Sequence, residues 1–167
     1  MTTWLPPKGA DPSFAPVSAQ HWASFGQRVG AYLLDLAIQV GFVVVVTFAL
    51  LGPAYFTEDD PDVDPALDVL TWVFTAGASL LYYALLMRRS GTHNGQTWGR
   101  QAAGIQVVRD DGKPVSAVFA AYRDYLVKGL LSTFTLGVDL LWPLWERENR
   151  TLHDLLLHTH VVSVEHA

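Results

Sequence analysis

The 167 residues predict an all-α integral membrane protein with two transmembrane helices, a helical hairpin or third span, and a small cytoplasmic β-hairpin or sheet. Three observations carry that prediction: two long apolar blocks, the uneven placement of Lys and Arg around them, and two short β-branched runs in the polar remainder. The average composition, 50% hydrophobic with a formal net charge of -5, would also fit a soluble domain. It is the concentration of apolar residues into blocks that decides the class.

The first block, 29–51, is about 23 residues long and the second, 67–87, about 21, against roughly 20 needed to cross a bilayer. Asp35 is the only formal charge in the first, and Gln39 its other strongly polar side chain; the second is charged only at Asp68. Both are longer than the apolar stretch of a buried soluble helix or of a signal-peptide core. Residues 1–22 read as a polar lead containing Pro and Ser, and 23–164 as the membrane domain. A cleaved signal is not expected, because the first apolar block begins too late.

Basic residues near the span ends set the orientation. Arg28 precedes the first span, and Arg88, Arg89 and Arg100 follow the second. The stretch 52–65 carries Glu58, Asp59, Asp60, Asp62 and Asp64 but no Lys or Arg. The expectation is a multi-pass plasma-membrane protein with a cytoplasmic N-terminus and an external acidic loop. Asp60, Asp62 and Asp64 alternate as calcium ligands can, yet Pro65 stands where such a loop needs Gly for its turn. A solvated loop is the preferred reading.

After Met87 the residues Ser90, Gly91, Asn94 and Gly95 mark loop. Ile105–Arg109 has strand character, Asp111-Gly112 is a turn dipeptide, and Lys113-Pro114-Val115 begins a return. Thr159–Val164 is the second strand candidate. Neither strand is stable alone, so the two are expected to pair in a small cytoplasmic sheet. Between them Ser116 is a plausible N-cap for a helix to about 134, which carries Arg123, Asp124 and Lys128 on an apolar background. The following stretch, 136–145, is broken by Asp139 and Pro143 and is too short to span. This region is either a full third crossing or a hairpin that enters and returns; pairing of the strands favours the return.

A carboxylate within a span costs about 2.5–3.5 kcal/mol on insertion scales, so Asp35 needs a partner or a task. Arg28 shares its helix face, but seven residues rise about 10.5 Å, too long for a direct pair to be assumed. Other candidate donors are Arg123, Lys128 and the 96–100 segment. Asp35 is then either part of a satisfied polar cluster or a group that takes up and releases a proton or cation. His153, His158 and His160 would suit a transition metal, but no closed-site spacing appears, so surface histidines are preferred. There is no cysteine, no Gly-x-Ser-x-Gly elbow and no phosphate-cradling glycine loop. No enzyme activity, cofactor, metal or nucleic-acid partner is expected.

Several short motifs, in order, resemble the RDD family of membrane proteins, named for one arginine and two aspartates. Phe25-Gly26-Gln27-Arg28 running into Asp35 is similar to its opening, Gly95-Gln96-Thr97-Trp98-Gly99-Arg100 to its G-Q-T-x-G-K/R loop, and Leu152-His153-Asp154 to its L-H-D. One departure is His158, where the family usually has Gly before the final Thr; if that Gly serves a positive φ, the local turn here must differ. The resemblance marks Arg28, Asp35 and Asp154 as the named positions, with Gln96, Thr97, Gly99, Arg100 and His153 as secondary matches; Gln39, one turn after Asp35 on the same helix face, is a further supporting candidate by position. It implies transport of an unknown ligand or ion through a buried Arg/Asp cluster; the alternative is a membrane scaffold or assembly partner in which the cluster is structural. The lipid bilayer and a homo-oligomer or other membrane proteins are the expected partners, with a proton or cation as ligand.

Overall fold

The computed structural model describes residues 19–52 and 65–164. The polar lead up to residue 18 and nearly all of the acidic loop, with its alternating aspartates, lie outside the described residues.

The first long helix, α1 (Phe25–Leu51), starts four residues before the apolar block because a capping box sits there. Ser24 Oγ accepts from the Gln27 N–H at 3.2 Å, and Gln27 Oε1 accepts from the Ser24 N–H at 2.9 Å. The second, α2 (Pro65–Met87), opens on a proline, whose missing N–H costs nothing in a first turn. Both helices are long and apolar enough to cross a membrane, and only 11% of each apolar window is buried. A core helix of a soluble domain would be mostly buried. Here Leu50, Val45 and Trp72 are 75%, 67% and 76% exposed, as side chains solvated by lipid would be.

The two spans pack less on each other than on the module that follows: α1 against α3 (Trp98–Ala102), and α2 against α4 (Ala117–Ala121). That module is built on a three-stranded antiparallel sheet of order β1-β3-β2, with β1 Ala19–Trp22, β2 Ile105–Arg109 and β3 Thr159–Val164. Ile105 lies opposite Ser163 and Arg109 opposite Thr159, so the two strands expected from the sequence do pair. The edge strand β1 lies inside the segment read as a polar lead. Of its residues, Ala-Gln-His-Trp, only Trp22 favours a strand, so it depends mainly on pairing with β3.

The expected return strand at Lys113-Pro114-Val115 does not form. Gly112 N–H closes the turn onto the Arg109 carbonyl at 3.1 Å, but the chain then leaves the sheet. The Asn94 side chain takes the place of a neighbouring strand, accepting from the Val115 N–H at 2.8 Å and donating to its carbonyl at 3.0 Å. Pro114 has no N–H to give a ladder.

Ser116 caps the next helix as expected, its Oγ accepting from the Phe119 N–H at 3.2 Å. That helix runs through α4, a π-helical stretch Tyr122–Val127, and α5 (Lys128–Phe134). The wide π turn falls on Arg123 and Asp124, both buried, and π turns often mark such functional positions. A left-handed Gly137 then reverses the chain into α6 (Val138–Leu141) and a 3-10 turn at Trp142–Leu144, and α7 (Leu152–Leu156) leads back to β3. Because β2 and β3 share one sheet, the segment between them returns to the side it left. A single membrane crossing there is incompatible with the pairing. The apolar core, including Ala23, Ala31, Met87, Ile105, Val107 and Val161, sits where the sheet meets the two spans.

Candidate ionic site at the junction of spans and sheet

Asp35 is 2% exposed, and three neutral donors hold it. Its Oδ1 accepts from the Tyr82 hydroxyl at 2.6 Å and the Gly99 N–H at 2.8 Å; its Oδ2 accepts from the Thr97 hydroxyl at 2.6 Å. Of the donors the sequence suggested, the 96–100 segment is the one that binds it. No ion pair joins Asp35 to Arg28, Arg123 or Lys128. Gln39 donates to the Asp35 backbone carbonyl at 3.3 Å and does not reach its carboxylate.

The residues of the 95–100 loop divide the work of seating α3. Gly95 has φ +75, and a Cβ there would overlap the Val107 carbonyl oxygen. Gln96, fully buried, donates to the Ile105 carbonyl at 2.9 Å and ties the loop to β2. Thr97 caps α3, its Oγ1 accepting from the Arg100 N–H at 3.3 Å, while its hydroxyl hydrogen goes to Asp35. At Gly99 a Cβ would lie 2.7 Å from Asp35 Oδ1 and would overlap the Ala31 carbonyl, so the close approach of α3 to α1 requires Gly. Arg100 turns the other way and pairs with Asp124.

Behind this clasp lies a buried ionic network. Arg123, 1% exposed, donates Nη1 to both Asp124 oxygens at 2.9 and 3.0 Å, Nη2 to Asp154 Oδ1, and Nε to Thr159 Oγ1 at 3.2 Å. Arg28 Nη1 donates to Asp154 Oδ2 at 2.8 Å. Burial alone would raise the Asp154 carboxyl, but the guanidinium groups of Arg123 and Arg28 outweigh it and hold the group well below the usual carboxylate range. The structure thus brings Arg28 and Asp154 together and leaves Asp35 in its own clasp, with a cavity of about 110 Å³ lined by both Arg28 and Asp35.

A model of the RDD family matches residues 22–158. The chain belongs to the RDD family. No curated protein and no solved structure matches it. The family and the two apolar helices together point to a membrane protein. The three positions marked by the sequence resemblance form one ion pair, Arg28 with Asp154, and one hydrogen-bonded clasp, Asp35.

The RDD chain's L-H-D segment opens α7. Thr151 and Asp154 form a capping box, so Asp154 serves the helix start as well as the two arginines. His153 Nδ1 lies 2.8 Å from Asp139 Oδ2, and its Nε2 lies 3.1 Å from Thr151 Oγ1. His160 lies between Asp110 and Glu148, with Nδ1 2.6 Å and Nε2 3.1 Å from their oxygens, and stacks on Trp22. At His158, where the family usually has glycine, the histidine itself takes φ +51. Among non-glycine residues His is one of those enriched in that region.

Sequence reasoning named Arg123 only as a donor for Asp35, and did not place Asp124 in the cluster. The available signal was two adjacent opposite charges on a helix otherwise apolar at Val118, Phe119, Tyr122 and Leu126.

Proposed function

We propose that this chain is a multi-pass plasma-membrane protein that moves a small charged ligand at the junction between its spans and a cytoplasmic sheet module. The observation that supports this is the cavity beside α1, where Arg28, Asp35, Arg100, Arg123, Asp124 and Lys128 all reach the lining at the head of an apolar helix pair. Ionisable groups at such a place are functional candidates by default. Arg88 and Arg89 after α2 support a cytoplasmic sheet, by the bias of basic residues to that side. Two splayed spans do not enclose a path: an apolar groove of about 500 Å³, lined by residues such as Phe42, Val73 and Phe74, separates them. Several copies would close it, so a homo-oligomer is part of the reading. Asp35 acts here as a positioning residue that seats α3, because donors already occupy both its oxygens.

Purified protein in proteoliposomes should pass an ion flux above empty vesicles, and Asp35→Asn should abolish it in protein shown to be folded. Wild type without flux, or unchanged flux in the folded variant, overturns the proposal.

The full set of donors on the two aspartates favours a second reading, a non-transporting scaffold or assembly partner. Asp35 and Asp154 have donors on every oxygen, as structural glue does. On that reading Asp35→Asn and Arg28→Gln abolish folding in detergent, and wild type moves no ion. Neither reading involves an enzyme: the Thr151 hydroxyl, which stands beside His153 and Asp139 in triad-like order, is buried and occupied as the α7 cap.

A further inference from the structure

We propose that the cavity beside α1 binds a phosphate-type oxyanion, gripped by the Nε–Nη2 edge of Arg28 and by the ammonium of Lys128; this rests on reading the junction as a ligand site. Arg28 spends only Nη1 on Asp154. Its Nε and Nη2 are buried and have no hydrogen-bond partner among the described residues. These two N–H groups lie along one edge of the planar guanidinium and point in parallel, the fork that takes two oxygens of one phosphate or carboxylate. The group cannot discharge itself to relieve its burial, since Arg stays protonated in proteins. An oxyanion satisfies both hydrogens at once.

Lys128 lines the same cavity. Its Nζ lies 4.5 Å from the Tyr32 ring centroid, and it makes no ion pair among the described residues, leaving its three donors for a ligand. Four cations, Arg28, Arg100, Arg123 and Lys128, and the carboxylates of Asp35 and Asp124 line the cavity, with Asp154 and Asp139 buried beside it and held by Arg28, Arg123 and His153. A cation entering here meets Arg28 and Lys128, while the carboxylates that would attract it are already engaged. The cavity volume of about 110 Å³ exceeds what a single water needs by several times. Inorganic phosphate and the phosphodiester of a lipid headgroup share this chemistry, and the position beside an apolar helix admits either source.

The test uses the full chain in dodecyl maltoside, a detergent without phosphate. Inorganic phosphate, at ionic strength matched with chloride, should raise the thermal midpoint; so should dihexanoyl phosphatidylglycerol but not dihexanoylglycerol if a headgroup is the ligand. A response to phosphate identifies the free ion, and a response to the phospholipid alone identifies the headgroup. Lys128→Met breaks no ion pair, so it should fold and bind at least tenfold more weakly. Arg28→Lys keeps the charge but loses the fork, and should weaken binding similarly where it folds. No stabilisation by either probe, or unchanged binding in Lys128→Met, overturns the proposal. Binding without flux in proteoliposomes overturns the transport reading alone; flux without binding overturns the oxyanion assignment alone.

Discussion

One methyl group at Gly99 should separate α3 from α1. A Cβ there would stand 2.7 Å from Asp35 Oδ1 and 2.8 Å from its Cγ, besides overlapping the Ala31 carbonyl. None of these neighbours can give way cheaply: Ala31 contributes backbone of a long helix, and Asp35 is pinned by Tyr82 and Thr97. In Gly99→Ala the short helix α3 must therefore move, losing the Gly99 and Thr97 bonds to the carboxylate. Hydrogen bonds to a charged group contribute about 1.5–3 kcal/mol each, so two lost bonds cost about 3–6 kcal/mol. Against a typical total of about 5–15 kcal/mol this is a large share. At about 2–4 °C per kcal/mol for a chain of this size, the thermal midpoint should fall by about 6–24 °C. Tryptophan fluorescence in detergent micelles reads it, since Trp98 opens α3 and is half-exposed. The control is Gly30→Ala, in α1 next to Ala31 with nothing within 4 Å of the new Cβ, which should gain about 0.5–1 kcal/mol. A loss below about 3 °C in Gly99→Ala, or an equal loss in Gly30→Ala, would refute the steric argument.

Asp154→Asn strips the charge that Arg28 and Arg123 share, and breaking a buried pair of this kind costs about 3–5 kcal/mol, read as a lower midpoint or loss of folded protein. The difference in midpoint between wild type and that variant should also depend on pH. The folded Asp154 carboxyl is lowered, so its contribution is complete above the unfolded value of about 3.9 and disappears as pH falls through the folded one. A difference constant from pH 7 to 5 and shrinking below 4 is expected; shrinkage between 7 and 5 counts against the pairing. His158→Gly should raise the midpoint by a few degrees, because relief of a left-handed conformation, about 1–2 kcal/mol, outweighs the added chain entropy of about 0.5–1; an unchanged or lower midpoint speaks against strain there. Topology reporters at Gly112 and Glu148 should lie on the same side as the C-terminus, and opposite sides would break the β2–β3 pairing.

Much of the fold was legible because it depends on patterns that survive without tertiary context. The two apolar helices follow from length, Ser116 from capping chemistry, and β2 and β3 from β-branched residues. What failed were elements that exist only through a neighbour. Ala19–Trp22 becomes a strand because β3 offers an edge, and Lys113-Pro114-Val115 fails to become one because Asn94 reaches its backbone first. The turn at His158 shows a limit of another kind: the residue type suggested glycine-like freedom was lost, yet His158 itself takes φ +51. The G-Q-T-x-G-R segment was recognisable as a motif, but its logic, with Thr97 and Gly99 clasping Asp35 while Gln96 holds β2 and Arg100 holds Asp124, appears only once α3 is laid against α1.

The acid inside the first span drew attention because an unpartnered carboxylate at that depth is expensive. That reasoning led to a buried polar junction, though not to the partners that Asp35 has there. Asp35 is met by a phenol, a hydroxyl and a backbone N–H, donors that carry no charge and leave no mark in a scan for opposite charges. Recruiting neutral donors for the aspartate leaves the nearby cations to other partners. Arg28 gives one nitrogen to Asp154 and retains two buried donors, while Lys128 is held against an aromatic ring and makes no ion pair among the described residues. The junction that suggested a cation from its aspartate thus also offers donors for the anion proposed above. Which edge of a guanidinium remains free depends on the approach direction of its first partner, and no spacing along the chain encodes that direction.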